Sequence, residues 1–188
     1  MKIQHLLNPS CPWWVIGFFD NPLRRWFHNP ETILAGLVRE GQTALDIGCG
    51  MGYFTIQLAR MVGDSGRVIA ADLQPQMLAG LRKRAQKAEL LSRIELHLAK
   101  PERIDVTEPI DFALTFWMLH EVRQQDAFLA EVYQLLKPGA CLLLVEPLFH
   151  VSEKRFEQEI QKAKEEGFRI VSNPAVRFSR SALLMKEK

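Results

Sequence analysis

Apolar positions along the chain fall into two alternating kinds of segment, and their order predicts the architecture. Short apolar runs of the buried-strand kind cover residues 43–47, 67–71, 110–118 and 141–145, and a short alternating strand covers 94–98. Longer stretches with helical spacing separate them, at 53–62, 75–90 and 124–136, the last stopped by Pro138-Gly139. An earlier helix opens at Asn29-Pro30, an N-cap followed by proline at the first helical position, and runs to about Glu40 before Gly41. A charged helix capped by Ser152 ends at Gly167, and the closely spaced runs 168–171 and 182–185 read as an antiparallel pair. Strands alternating with helices imply a parallel sheet covered on both faces. The expected fold is therefore α/β: a doubly wound, mostly parallel seven-stranded sheet with an antiparallel final strand.

Residues 10–30 do not follow this alternation. They concentrate Trp, Phe and Pro, so the chain divides into an aromatic N-terminal segment, 1–30, and an α/β domain, 31–188. Trp13, Trp14 and Phe19 are candidates for a lid that walls an apolar or aromatic ligand; capping of the core or a dimer contact would use the same side chains.

Composition narrows the functional classes. A formal charge of +2 gives no electrostatic case for nucleic acid as the partner. No apolar run reaches the roughly 20 residues needed to cross a bilayer, and the start of the chain lacks the form of a signal peptide, so a cytoplasmic protein without membrane insertion is expected. Three widely spaced cysteines with no CxxC indicate neither a disulfide framework nor a metal site.

The candidate chemistry starts at Asp46-Ile47-Gly48-Cys49-Gly50-Met51-Gly52, which follows a strand and opens a helix. Glycines there let a ligand lie against main chain and put amide groups at a helix N-terminus. Asp72, at the end of the next strand, stands where a carboxylate accepts hydrogen bonds from ribose hydroxyls. Together they point to an adenosine-containing cofactor. The glycine spacing differs from the dinucleotide fingerprint, and a carboxylate at Asp46 suits a cationic ammonium better than a pyrophosphate. A nicotinamide-dependent oxidoreductase is therefore the weaker enzyme class, and a cofactor-binding regulatory subunit without catalysis is the non-enzymatic alternative.

These residues resemble the class I S-adenosylmethionine-dependent methyltransferases, and in particular the ubiquinone/menaquinone-methylase-like small-molecule branch. ALDIGCGMGYFT (44–55) is similar to that family's first motif, Asp72 to its ribose-binding acid, and LLKPGACLLLVEP (135–147) to its turn and fifth strand. The resemblance implies a Rossmann-like class I methyltransferase fold, S-adenosylmethionine as cofactor with S-adenosylhomocysteine as product, and a small-molecule acceptor. It assigns Gly48, Gly50 and Gly52 to the methionine and ribose, Asp46 to the methionine ammonium and Asp72 to the ribose diol. Cys49 would touch the cofactor through its backbone, and Leu73 and Met77 would flank the adenine. Residues 116–121 would line the transfer site, Phe116 and Trp117 toward the cofactor and Met118 toward the acceptor. One departure stands out. The family often carries an aspartate after the third strand that reads the adenine amino group; here Ala99-Lys100-Pro101 occupies that place, and lysine has no acceptor. Ala99 and Lys100 are still expected to touch the adenine, but its recognition falls to a backbone carbonyl, a water or another side chain.

Methyl transfer from a sulfonium is an in-line displacement that needs a base only where the nucleophile must lose a proton. His120 and Glu121 after the fourth strand, and Glu146 and His150 after the fifth, fall at carboxyl ends of parallel strands, where ligands bind in this architecture. His120, Glu121 and His150 are the candidate bases, and Glu146 is a candidate acceptor-binding or turn-fixing residue. Residues 115–118 read Thr-Phe-Trp-Met, unlike the motif of enzymes that methylate nucleic-acid amino groups. Oligomeric state is not encoded in any of these features.

Overall fold

The computed structural model describes residues 24–187. Among them one sheet holds seven strands in the order β3-β2-β1-β4-β5-β7-β6. In chain order these are β1 (Thr43–Ile47), β2 (Arg67–Asp72), β3 (Ile94–Leu98), β4 (Ile110–Phe116), β5 (Leu136–Pro147), β6 (Phe168–Ser172) and β7 (Ser179–Lys186). Strands β1 to β5 are parallel. β7 runs antiparallel to β5, and β6 antiparallel to β7. The helices are α1 (Arg24–Phe27), α2 (Pro30–Leu34), α3 (Thr55–Met61), α4 (Pro75–Lys87), α5 (Gln125–Leu135) and α6 (Glu153–Glu165).

Alternation along each central strand feeds two apolar layers, one per face of the sheet. Ala44, Phe112, Leu114, Leu143 and Val145 pack with Leu58 and Leu81 on one side. Leu45, Ile47, Ala113, Leu142 and Leu144 pack with Leu129, Val132 and Ile160 on the other. From β1 the chain lays β2 and β3 to one side, then crosses to put β4 and β5 on the other. That reversal opens a crevice at the carboxyl ends of β1 and β4, the place where ligands bind in open α/β sheets.

Two boundaries differ from those the sequence suggests. The first full helix stops at Leu34, not near Glu40, because Ala35 turns to ψ 124° and Gly36 to φ +76°. Pro138-Gly139 does not separate helix from strand. β5 already begins at Leu136, paired with Ile110, and the next pair is Phe112 with Cys141. The surplus residues form a bulge, where proline's missing donor and the left-handed Gly139 (φ +81°) are tolerated.

Candidate functional site

On the β1–β2 side the crevice is built from main chain and two acids. Gly48, Gly50 and Gly52 have φ of +71°, +55° and +83°, a region L side chains rarely adopt. Four of the loop amides donate within the protein. Those of Gly48 and Cys49 donate to Ala71 O (2.8 and 3.1 Å), and that of Gly52 to Cys49 O. The Gly50 amide donates to Asp72 Oδ2 (2.9 Å), and Asp72 Oδ1 accepts from the Gln74 amide (2.9 Å). The glycines also differ in what requires them. Gly48 is exposed, whereas a Cβ on buried Gly52 would lie 2.2 Å from Leu81 Cδ1, so Gly52 is needed for packing against α4.

Asp46 and Asp72 are both nearly withdrawn from water. Burial pushes the Asp46 carboxyl up to about 7; the Thr55 hydroxyl, donating to Oδ2 at 2.6 Å, opposes the rise and the charge of Asp72 adds to it. Burial also raises Asp72, against the backbone donors at Gln74, Gly50 and Leu73. Cys49 is held as a thiol, pushed well up by burial and then by the two carboxylates. At 3% exposure Asp46 acts on a ligand mainly through its field, whereas Asp72 lies at the strand's end.

Leu73 and Leu98 are 47% and 53% exposed after or at the ends of neighbouring strands, an apolar pair suited to a flat ring. Leu98 was not singled out in the sequence, although an exposed leucine closing a half-buried strand is a readable signal. Met77 is fully buried, so Leu73 alone of the two residues expected beside the adenine presents surface. The Ala99 amide donates to Asp72 O, and Lys100 Nζ is paired with Asp105 Oδ2 at 2.5 Å. The loop after β3 thus spends its cation internally. A further residue without a sequence signal is Arg24: its guanidinium lies 4.2 Å from the Tyr53 ring centroid, and its charge opposes the rise at Asp46.

On the β4–β5 side the crevice is built from side chains. Phe116 is buried and Trp117 half-buried, and Met118 lies against Gly48, joining the two sides. Trp117 has φ +61°. It is held there by its amide to Val145 O (2.7 Å), its indole Nε1–H to Ser179 Oγ (2.9 Å), and edge contacts with His28 and Phe149.

Beyond it, the short turn Leu119–Glu121 sits on Glu146, which is fully buried. Glu146 Oε1 accepts from the Leu119 amide (2.8 Å), and Oε2 pairs with His120 Nδ1 (2.5 Å). Burial works against charging His120, but the hydrogen bond and charge of Glu146, with Glu121, hold its pKa above the ordinary histidine value. The His120 and His150 rings are parallel, with centroids 5.7 Å apart. Glu146 is therefore enclosed, with both its oxygens taken by the turn, while His120 is half-buried and His150 exposed. Glu121 closes the turn through its amide to Met118 O.

Trp13, Trp14 and Phe19 lie outside the described residues. Among the described residues no group of three or more His, Cys, Asp and Glu is placed to hold a metal ion, and no helix is long and apolar enough to cross a membrane.

The site's residues suit S-adenosylmethionine. Two buried carboxylates, with the amides at 48, 49, 50 and 52 donating within the protein, favour a cationic, diol-bearing ligand over a pyrophosphate, and Leu73 with Leu98 supplies an apolar bed. Comparison with known proteins agrees with this chemistry. Residues 44–139 match the family described as a methyltransferase domain. The chain is 34% identical over 116 residues to the ubiquinone/menaquinone biosynthesis C-methyltransferase UbiE of Enterobacter sp. (strain 638), covering 61% of this chain and 46% of that protein. It thus spans less than half the length of that relative. Its fold is similar to a SAM-dependent methyltransferase of Aquifex aeolicus, with a TM-score of 0.83 at 24% identity, covering 94% of this chain and all of the other. It is also similar to the [4+2]-cyclase SpnF, with a TM-score of 0.70 at 17% identity over 85% of this chain and 80% of that one. A cyclase on the same fold shows that architecture alone does not decide the reaction.

Proposed function

This chain belongs to the methyltransferase-domain family, and from that premise we propose that it transfers the methyl group of S-adenosylmethionine to a small, apolar or aromatic acceptor. The observation that carries the reading is the polarity of the glycine loop: its amides at 48, 49, 50 and 52 donate within the protein, and two buried acids lie beside it. Such a loop repels phosphates and attracts a cation.

When bound, S-adenosylmethionine supplies a methyl group already activated by the sulfonium charge. The chain's own residues then have three tasks. Asp72, with lone pairs left on both carboxylate oxygens, accepts the ribose hydroxyls. Asp46 lies behind the loop and favours the ammonium end through its negative charge, while Leu73 and Leu98 take the adenine between apolar surfaces. On the other side, His120 removes the acceptor's proton at Nε2, which makes no hydrogen bond among the described residues, while Glu146 holds Nδ1 and stabilises the imidazolium that results. Phe116, Trp117, Phe149 and His150 wall the acceptor, an apolar and aromatic lining that favours a ligand of the same kind.

The test begins with calorimetric titration of S-adenosylhomocysteine into the protein and into Asp72→Ala. Micromolar binding that weakens about tenfold or more, roughly 1.4 kcal/mol, is expected. Transfer of labelled methyl from S-adenosylmethionine to catechol and 1,4-dihydroxynaphthalene is then measured. Folded protein that binds NADH but not S-adenosylhomocysteine would overturn the reading.

A further inference from the structure

We propose that Glu159, on α6 and away from the reacting groups, is the positioning residue that sets His120 in place. The inference rests on reading His120 as the base. Glu159 is 1% exposed. Its Oε1 accepts from Gln125 Nε2 (3.1 Å) and pairs with Arg155 Nε (3.5 Å). Each of those two donors also reaches the turn that carries His120. Gln125 Nε2 donates to Leu119 O (3.1 Å), and Arg155 Nη2 to His120 O (2.7 Å). The turn is therefore clamped from both sides. Glu146 takes the Leu119 amide and the His120 ring from within the sheet, and Glu159 aligns the two donors that take the turn's carbonyls from the helices. Three successive elements, α5, β5 and α6, close the circuit.

Energy argues against a merely structural role. Glu159 Oε2 is buried without a hydrogen-bond partner, and an unpaired buried carboxylate oxygen costs stability that an apolar residue of similar size would not. Burial and the nearby Glu146 charge both raise the Glu159 pKa, with Gln125, Arg155 and His120 opposing. What the arrangement yields in exchange is two donors in fixed geometry on consecutive carbonyls. The charged and titratable groups that face His120 are Glu146 from β5, Glu121 from its own turn, Arg155 from α6 and His150 from the loop after β5. Glu159 lies behind Arg155 and couples to this set.

The test uses nuclear magnetic resonance on protein labelled at histidine, following the His120 ring through a pH titration, and the low-field Nδ1 proton of its bond to Glu146. Glu159→Leu removes the acceptor that aligns both donors, so the Nδ1 proton signal is expected to exchange away and the His120 pKa to fall. Glu159→Gln keeps an acceptor oxygen for Gln125 and Arg155, and puts its amide where Oε2 now has no partner. It is expected to retain the proton signal, with a smaller fall in pKa. If Glu159→Leu is folded by its amide spectrum and leaves both readouts at their wild-type values, Glu159 does not position His120. If Gln and Leu lower the signal equally, the clamp is not what holds the ring, and the proposal also fails. Neither readout requires an acceptor. Failure of the base assignment would instead appear as unchanged methyl transfer in His120→Ala, while the Glu159 variants still alter the His120 signals as expected.

Discussion

The two sides of the crevice reach order by different means. Around β1 and β2, main chain does most of the work: loop amides find carbonyls, Gly50 is tied directly to Asp72, and side chains contribute two acids and an apolar bed. Around β4 and β5, side chains bond to side chains and to one short turn: Glu146 to His120, Gln125 and Arg155 to the turn's carbonyls, Trp117 to Ser179. A site made of backbone tolerates few changes, because each glycine and each acid has no chemical substitute. A site made of side chains can be rewritten one residue at a time. A fold can thus keep one cofactor while its acceptors, or even its reaction, diverge, as the likeness to a cyclase illustrates.

The sharpest way to separate the sides is His120→Ala. Loss of a positioned base is expected to lower methyl transfer by about 10²–10⁴-fold while S-adenosylhomocysteine affinity stays unchanged by calorimetry. A parallel loss of cofactor affinity would show that the two halves are one unit.

Gly52→Val attacks the other side. The substituent meets Leu81 in the core at a φ of +83°, combining overpacking with left-handed strain. About 2–5 kcal/mol of stability should be lost, from roughly 1–3 for overpacking and 1–2 for the backbone. For a chain of this size the melting temperature would fall by about 2–4 °C per kcal/mol. A Val variant that melts like the parent would mean that the loop is not set by its packing on α4.

How far was this contrast readable in the sequence? The backbone side was, because strand, glycines and acid succeed one another within a short stretch, residues 43–72, and each residue type carries its conformational reason. That the amides of Gly48, Cys49 and Gly50 turn inward was not: Ala71 O and Asp72 lie on the neighbouring strand, and their reach follows from register. The side-chain half was legible only as isolated candidates. His120 and Glu146 stood out by position, yet nothing along the chain says that they pair. Gln125, Arg155 and Glu159 read as an ordinary charged helix surface, since their burial depends on α5 packing against α6. Pro138-Gly139 misled for a similar reason, as β5 begins before it through pairing with β4.

A third prediction concerns pH. A carboxyl whose folded pKa is raised binds its proton more firmly in the native state, so its contribution to stability is present at low pH and is lost as pH rises through the window between the two values. For Asp46 that window runs from 3.8 to about 7. Thermal melts of the ligand-free protein should fall across it, and Asp72 and Glu159, also raised, act in the same direction. Asp46→Asn isolates the share of Asp46, on the order of a few kcal/mol. The variant should melt above the parent beyond pH 7 and approach it below pH 5. It should also bind S-adenosylhomocysteine more weakly, since the charge that favours the ammonium is gone. Equal pH dependence in both proteins would remove Asp46 as the source.

The smallest effect falls at the join between the halves. Trp117 adopts a left-handed conformation that costs a residue other than glycine about 1–2 kcal/mol, so its surroundings must over-determine it. They do so through the amide bond to Val145 O, the indole bond to Ser179 Oγ and the rings of His28, Phe116 and Phe149. Trp117→Phe keeps the backbone strain and most of the ring contact but deletes the indole donor, leaving Ser179 Oγ still bonded to Arg177 O. The stability lost in urea unfolding should be about 0.5–1.5 kcal/mol, the net value of one hydrogen bond. Because that bond ties β4's end to β7 and not to the glycine loop, acceptor KM should rise while S-adenosylhomocysteine affinity holds. If cofactor affinity moved more than KM, the join would transmit strain across the crevice, and the division between a backbone-built and a side-chain-built half would fail beside Met118, the residue that lies against Gly48.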